Sequence, residues 1–183
     1  MKKALLNIDY TNDFVAKDGA LTCGEPGQKI EQEMVRITED FIKNGDYVVF
    51  AIDYHQKDDA YHPETKLYPP HNIEGETGRE LYGELQSVYE RNKDKQHVYW
   101  LDKTRYSPFV GTDLEIKLRE RGITEVHLVG CATDICVLHA AVSAYNLGFD
   151  VVVHQHAVAS FNPDGHEWAL QHFENALGAE IIK

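Results

Sequence analysis

Short apolar bursts alternate along this chain with longer stretches whose apolar residues recur every three or four positions. The first burst, Ala4-Leu5-Leu6-Asn7-Ile8, predicts a strand. Ile30, Met34, Ile37 and Phe41 then share one helical face, and Asn44-Gly45 supplies a stop. Residues 47–52 are a near-continuous apolar run, which predicts a strand buried on both faces. Thr77 and Glu80 have capping-box spacing ahead of Leu81, Leu85 and Val88, predicting a short helix. Further strands are predicted at 98–101, 126–129, 151–153 and 179–182. Between them, Thr112 with Glu115 opens a helix that ends at Gly122. Asp164 with Glu167, after Pro163, opens another that runs through Trp168, Leu170 and Phe173 to Gly178. The remaining helix carries Val137, Ala140, Ala141, Ala144 and Leu147, with Thr133 as its predicted N-cap and Gly148 as its stop.

Strands apolar on both faces, alternating with helices, predict a three-layer α/β sandwich, Rossmann-like, around a central parallel sheet of about six strands. A length of 183 residues suits a single domain over 1–183, with no repeat and no linker. The stretch 53–76 has no periodic pattern and is too long for an ordinary connection, which marks it as functional.

Composition narrows the partners. With 18 basic against 30 acidic residues the net charge is −12, which argues against nucleic acid or an anionic membrane surface as partner. No apolar run approaches the ~20 residues that cross a bilayer. Three cysteines without framework spacing suggest reduced thiols and a cytoplasmic protein. The state of assembly stays open, a homo-oligomer included.

In parallel sheets, ligands bind beyond the carboxyl ends of the strands. Here those ends carry Asp9, Asp53 and Lys103, and the fourth strand leads to Cys136. A cysteine in a first helical turn meets unpaired N–H groups and the positive end of the helix dipole, which favour thiolate. Asp9 is the candidate base, Lys103 the positive field, and the backbone N–H groups of Ala132 and Cys136 the candidate oxyanion hole. Together they describe acyl transfer from an amide without a histidine base. A second cluster, Asp53-x-His55, His62-Pro63-Glu64 and Pro69-Pro70-His71, offers imidazole and carboxylate ligands for one divalent ion, zinc, iron or manganese.

Five ordered motifs, Asp9 with Asp13-Phe14, Asp53-x-His55, Tyr68-Pro69-Pro70-His71-Asn72, Lys103 with Tyr106-Ser107, and Gly130-Cys131-Ala132-Thr133-Asp134-Ile135-Cys136-Val137, span nearly the whole chain. By them the chain resembles the isochorismatase-like cysteine hydrolases and, within these, the nicotinamidases (pyrazinamidases). Cys136 separates it from the isochorismatases proper, which lack the nucleophile.

The resemblance implies hydrolysis of nicotinamide to nicotinic acid and ammonia through a thioester in pyridine-nucleotide salvage, with pyrazinamide also accepted. It implies a triad of Asp9, Lys103 and Cys136, a non-proline cis peptide before Ala132, and a divalent metal, zinc foremost, that holds the ring nitrogen. Phe14, Tyr68 and Tyr106 are the expected aromatic walls. Many relatives place a histidine shortly after Asp-x-His, where this chain has Lys57-Asp58-Asp59-Ala60-Tyr61. The third ligand is then Glu64 or His62, with Glu64 favoured by likeness to a subgroup that uses a carboxylate there; Asp53, His55 and His71 complete the set. Position 68 is tyrosine where tryptophan is common.

Other readings predict other features. A relative acting on a linear amide, such as a ureidoacrylate or carbamoyl substrate, generally lacks the full metal set. A dinucleotide-binding module needs Gly-x-Gly-x-x-Gly after the first strand, and residues 9–14 contain no glycine. A redox pair of Cys131 and Cys136 has four intervening residues instead of two.

Overall fold

The expected strands form as β1 (Lys2–Ile8), β2 (Tyr47–Asp53), β3 (Val98–Lys103), β4 (Ile123–Cys131), β5 (Asp150–Ala159) and β6 (Glu180–Ile182). In a computed structural model that describes residues 2–183, they make one parallel sheet of order β3-β2-β1-β4-β5-β6. The helices are α1 (Asn12–Val15), α2 (Glu25–Lys29), α3 (Glu31–Asn44), α4 (Glu84–Asn92), α5 (Leu114–Glu120), α6 (Leu138–Asn146) and α7 (Pro163–Leu177). Successive strand residues face opposite ways, so each central strand feeds two cores. Leu5, Val48, Phe50 and Ile52 pack with Met34, Ile37 and Phe41 of α3 and Leu85 and Val88 of α4. On the other face, Ala4, Leu6, Ile8, Val126 and Leu128 pack with Leu118, Ala140, Ala144 and Phe173 of α5, α6 and α7.

Chain order reverses between β1 and β4, the switch point at which such sheets bind ligands. The two strands approach closely there. Gly130 pairs with Ile8 at φ +120, and a Cβ at that position would lie 1.9 Å from Ile8 O. Gly130→Ala is therefore expected to cost more than about 3 kcal/mol, combining disallowed backbone with collision against a central strand. A denaturation midpoint in urea equal to that of the parent protein would refute this.

Four helix starts differ from the sequence pattern. In α5 the N-cap is Asp113 and not Thr112, whose Oγ1 accepts from Leu114 N at 3.2 Å. Thr77–Arg79 is a 3-10 turn, Leu81 bridges to Thr11, and α4 begins only at Glu84, whose N–H is capped by Glu31 Oε1 at 2.8 Å. The cap of α7 is Asn162, whose Oδ1 accepts from Gly165 N at 3.1 Å, and not Asp164. Thr133 caps nothing: residues Thr133–Val137 form a π-turn, α6 starts at Leu138, and the Thr133 hydroxyl is taken by His166. The short α1 and α2 carry no periodic pattern long enough to read.

Candidate active site

β1, β2, β3 and β4 end side by side, and their ends bring Asp9, Asp53, Lys103 and Cys136 together. Lys103 is the hub. Its Nζ lies 2.7 Å from Asp9 Oδ2 and 3.7 Å from Cys136 Sγ, and it ion-pairs with Asp53 Oδ1. All four side chains are buried. Asp9 sits just past β1 at φ +52, a left-handed conformation that Asp tolerates better than most residues, and its Oδ1 accepts from Asp53 N at 2.8 Å. The peptide before Ala132 is cis, as the resemblance implies, and the π-turn that follows carries Cys136.

Burial raises the Asp9 pKa to about 7, with Asp53 adding to the rise and Lys103 opposing it. Burial alone would strip Lys103 of its proton, but Asp53 and Asp9 hold it well above the ordinary lysine range. Cys136 departs from the helix-terminus expectation. It stands in a π-turn and not in a first α-helical turn, and burial pushes its thiol up, against the pull of Lys103. Burial thus favours the thiol form of Cys136, which lies beside the Asp9 carboxylate.

Asp53, His55, Glu64 and His71 form a second group beside the first, one ligand atom of each lying within 4.8 Å of the others. His55 and His71 meet because the loop folds back: His55 bridges to Ile73, and its N–H donates to Asn72 O at 3.2 Å. Asp53 Oδ2, His55 Nε2, Glu64 Oε1 and His71 Nε2 are all buried without a hydrogen-bond partner among the described residues. His71 Nδ1 donates to Pro69 O at 2.8 Å, which leaves the Nε2 lone pair facing Glu64 Oε2 at 3.4 Å. Burial also lowers His55 to about 4, so it is a neutral donor. Buried polar atoms left unpaired together call for a shared cation, and mixed imidazole and carboxylate donors suit a divalent metal. His62 stands outside this group. Its Nε2 donates to Thr104 O at 2.8 Å and its Nδ1 accepts from Glu64 N at 3.3 Å, so both ring nitrogens are committed.

Comparison with known proteins fits this arrangement. The family model for the Isochorismatase domain matches residues 3–183. The chain belongs to the isochorismatase family. It is 62% identical, over all of both chains, to the Bacillus subtilis (strain 168) protein described as "Uncharacterized isochorismatase family protein PncA". The crystal structure of nicotinamidase/pyrazinamidase PncA from Bacillus subtilis is 63% identical, covers 100% of both chains and superposes with a TM-score of 0.99. The pyrazinamidase of Pyrococcus horikoshii in complex with zinc is 27% identical, with 100% of this chain and 99% of that one covered and a TM-score of 0.86.

In this isochorismatase-family chain the expected aromatic walls divide. The Phe14 ring packs edge-on to His71 at 5.4 Å and Tyr68 does so at 6.2 Å, so both border the second group. Tyr106 lies against His139 at 5.1 Å, and burial together with a hydrogen bond to Tyr68 raises its pKa. A cavity of about 290 Å³ opens over His55, His62, Glu64, Tyr68 and His71. Two supports escape the sequence pattern. Arg79 Nε donates to Asp53 O at 2.7 Å while its guanidinium pairs with Asp102, fixing the end of β2. Asp13 Oδ2 accepts from Asn72 N at 2.7 Å and ties the loop bearing His71 to α1. Neither partnership has a spacing that could reveal it, because each joins a side chain to backbone dozens of residues away.

Proposed function

We propose that this chain is a nicotinamidase: one hydrolase domain that cleaves the carboxamide C–N bond of nicotinamide and related ring amides. The observation that carries the reading is a buried Lys103 Nζ within reach of both Asp9, at 2.7 Å, and Cys136 Sγ, at 3.7 Å. Asp9 takes the Cys136 proton, and the ammonium keeps the sulfur anionic as it attacks the carboxamide carbon. The oxyanion then rests on the N–H groups of Ala132 and Cys136. Asp9 returns the proton to nitrogen, ammonia leaves, and a thioester remains on Cys136. A water that gives its proton to Asp9 attacks the thioester, and the acid leaves as Cys136 recovers the proton. Asp9, poised near 7, suits a group that must both accept and donate.

Asp53, His55, Glu64 and His71 would hold the divalent metal, with Glu64 in place of His62. When bound, that ion, zinc as in the archaeal pyrazinamidase or else iron or manganese, supplies a Lewis-acid seat for the ring nitrogen. Phe14, Tyr68 and Tyr106 wall the ring and turn its carboxamide toward Cys136. The product would serve pyridine-nucleotide salvage, and three cysteines without framework spacing suit a cytoplasmic enzyme.

Ammonia release across nicotinamide, pyrazinamide and a linear carbamoyl amide tests the reading. The ring amides are expected to turn over, and chelation with verified metal loss is expected to raise KM about tenfold or more. Turnover confined to the linear amide would replace this reading with that of a linear-amide hydrolase. Activity unmoved by metal loss would remove the ring-anchoring role. His71→Ala is expected to lower metal content by about 10-fold or more at fixed free metal, read by elemental analysis, since one of four ligands is lost.

A further inference from the structure

The turn that carries Cys136 is held by its own backbone, by His139 Nδ1, which donates to Ile135 O at 2.7 Å, and by side chains from a neighbouring segment. Ile135 N and Val137 N both donate to the same oxygen, Ala132 O, at 3.1 and 3.2 Å, and no side chain caps the turn from Ala132. Its first two side chains are held from a single neighbouring segment, the connection from β5 into α7. Ser160 Oγ donates to Asp134 Oδ1 at 2.6 Å, and Asn162 Nδ2 donates to Asp134 Oδ2 at 3.1 Å. Thr133 Oγ1 shares a hydrogen bond of 2.8 Å with His166 Nδ1. The fit is close: a Cβ on Gly165 would lie 2.0 Å from Asp134 Oδ2. Asn162 caps α7 with its other amide atom, so one side chain joins the start of that helix to the turn. Among the described residues, none of these side chains hydrogen-bonds Lys103, and no step of the proposed reaction uses them.

We infer that Asp134 is a positioning residue: with Ser160, Asn162 and the Thr133–His166 pair, it latches the nucleophile turn to the start of α7. The inference rests on the cysteine-amidase reading above. Thr133 and Asp134 lie between Ala132 and Cys136, whose N–H groups must converge on one developing oxyanion. A single π-turn is a rare geometry, and a bidentate clamp on Asp134 sets its orientation from outside. The proposed ring seat lies elsewhere, on the 53–71 loop together with Phe14 and Tyr106. A loosened latch therefore displaces the reacting groups and leaves ring binding in place.

The test compares Asp134→Ala, Asp134→Asn and Ser160→Ala with the parent metalloprotein. It reads kcat and KM for nicotinamide, and the rate at which iodoacetamide alkylates Cys136, located by peptide mass. Asp134→Ala is expected to lose about ten- to hundredfold in kcat, the effect of a misplacement near 1 Å, with KM changed by less than about twofold. Asp134→Asn keeps an acceptor for Ser160 and is expected to recover part of the loss. Alkylation is expected to slow in the same order, because a drifting turn carries Sγ away from Lys103. Parent-like kcat in Asp134→Ala, or a loss confined to KM, overturns the latch. If Asp134→Ala does not fold, Ser160→Ala decides by the same two criteria, since it removes one of the two bonds. A parent protein inert toward nicotinamide would sink the amide reading instead, and the alkylation series would still decide the latch.

Discussion

On the proposed reading, Cys136→Ala protein is expected to fold and to keep the parent's metal content and ring binding, yet to release ammonia from nicotinamide at less than about one ten-thousandth of the parental rate. The expectation follows from where the sulfur sits. It is 4% exposed and belongs to the core cluster that includes Val137 and Ala140, so its loss removes one buried atom and costs about 1 kcal/mol of stability. Chemically nothing replaces it. Asp9 is the only other anionic group of the triad, and its role as proton carrier leaves it without a path to an acyl intermediate. Ammonia release by the variant, together with intact-mass detection of a thioester in the parent protein under rapid quench, checks both halves. Near-parental turnover in the variant would end the thioester mechanism.

Lys103→Ala is expected to damage stability as well as chemistry. The ammonium is fully buried between Asp9 and Asp53, and its removal leaves two carboxylates facing one another without a counter-charge. Breaking a buried ion pair from one side costs about 3–5 kcal/mol. The compensating pair Lys103→Met with Asp9→Asn should regain part of that stability, because it removes one of the two stranded charges and leaves only that of Asp53, while activity stays lost. Urea unfolding of the parent, the single and the double variant measures the recovery. A single variant as stable as the parent would show that the lysine is not the charge on which the cluster depends.

Much of the fold was legible because the signals are local. Each central strand is an apolar burst, and Gly45, Gly122, Gly148 and Gly178, the expected helix stops, all take positive φ. The reactive groups were legible for the same reason: Asp9, Asp53 and Lys103 are the polar residues at which apolar strands end. The features that escaped depend on partners far along the chain. Glu84 is capped by Glu31, His62 is spent on Thr104 O, and the Cys136 turn is gripped by residues 160–166. No periodicity records a bond between one side chain and a distant backbone atom. The thiolate expectation failed on a different ground: helix-end polarity is read from neighbours, whereas burial, which dominates at Cys136, is a property of the assembled core.

Asp53 belongs to both groups, with Oδ1 on the ammonium of Lys103 and Oδ2 among the unpartnered donors beside His55. An attempt to tune which ion the proposed site would prefer, by exchanging donor atoms, has freedom at three corners of the set. At the fourth, any swap that discards the negative charge also unseats the cation beside the nucleophile. Redesign of ion selectivity in this scaffold therefore has to proceed through His55, Glu64 and His71.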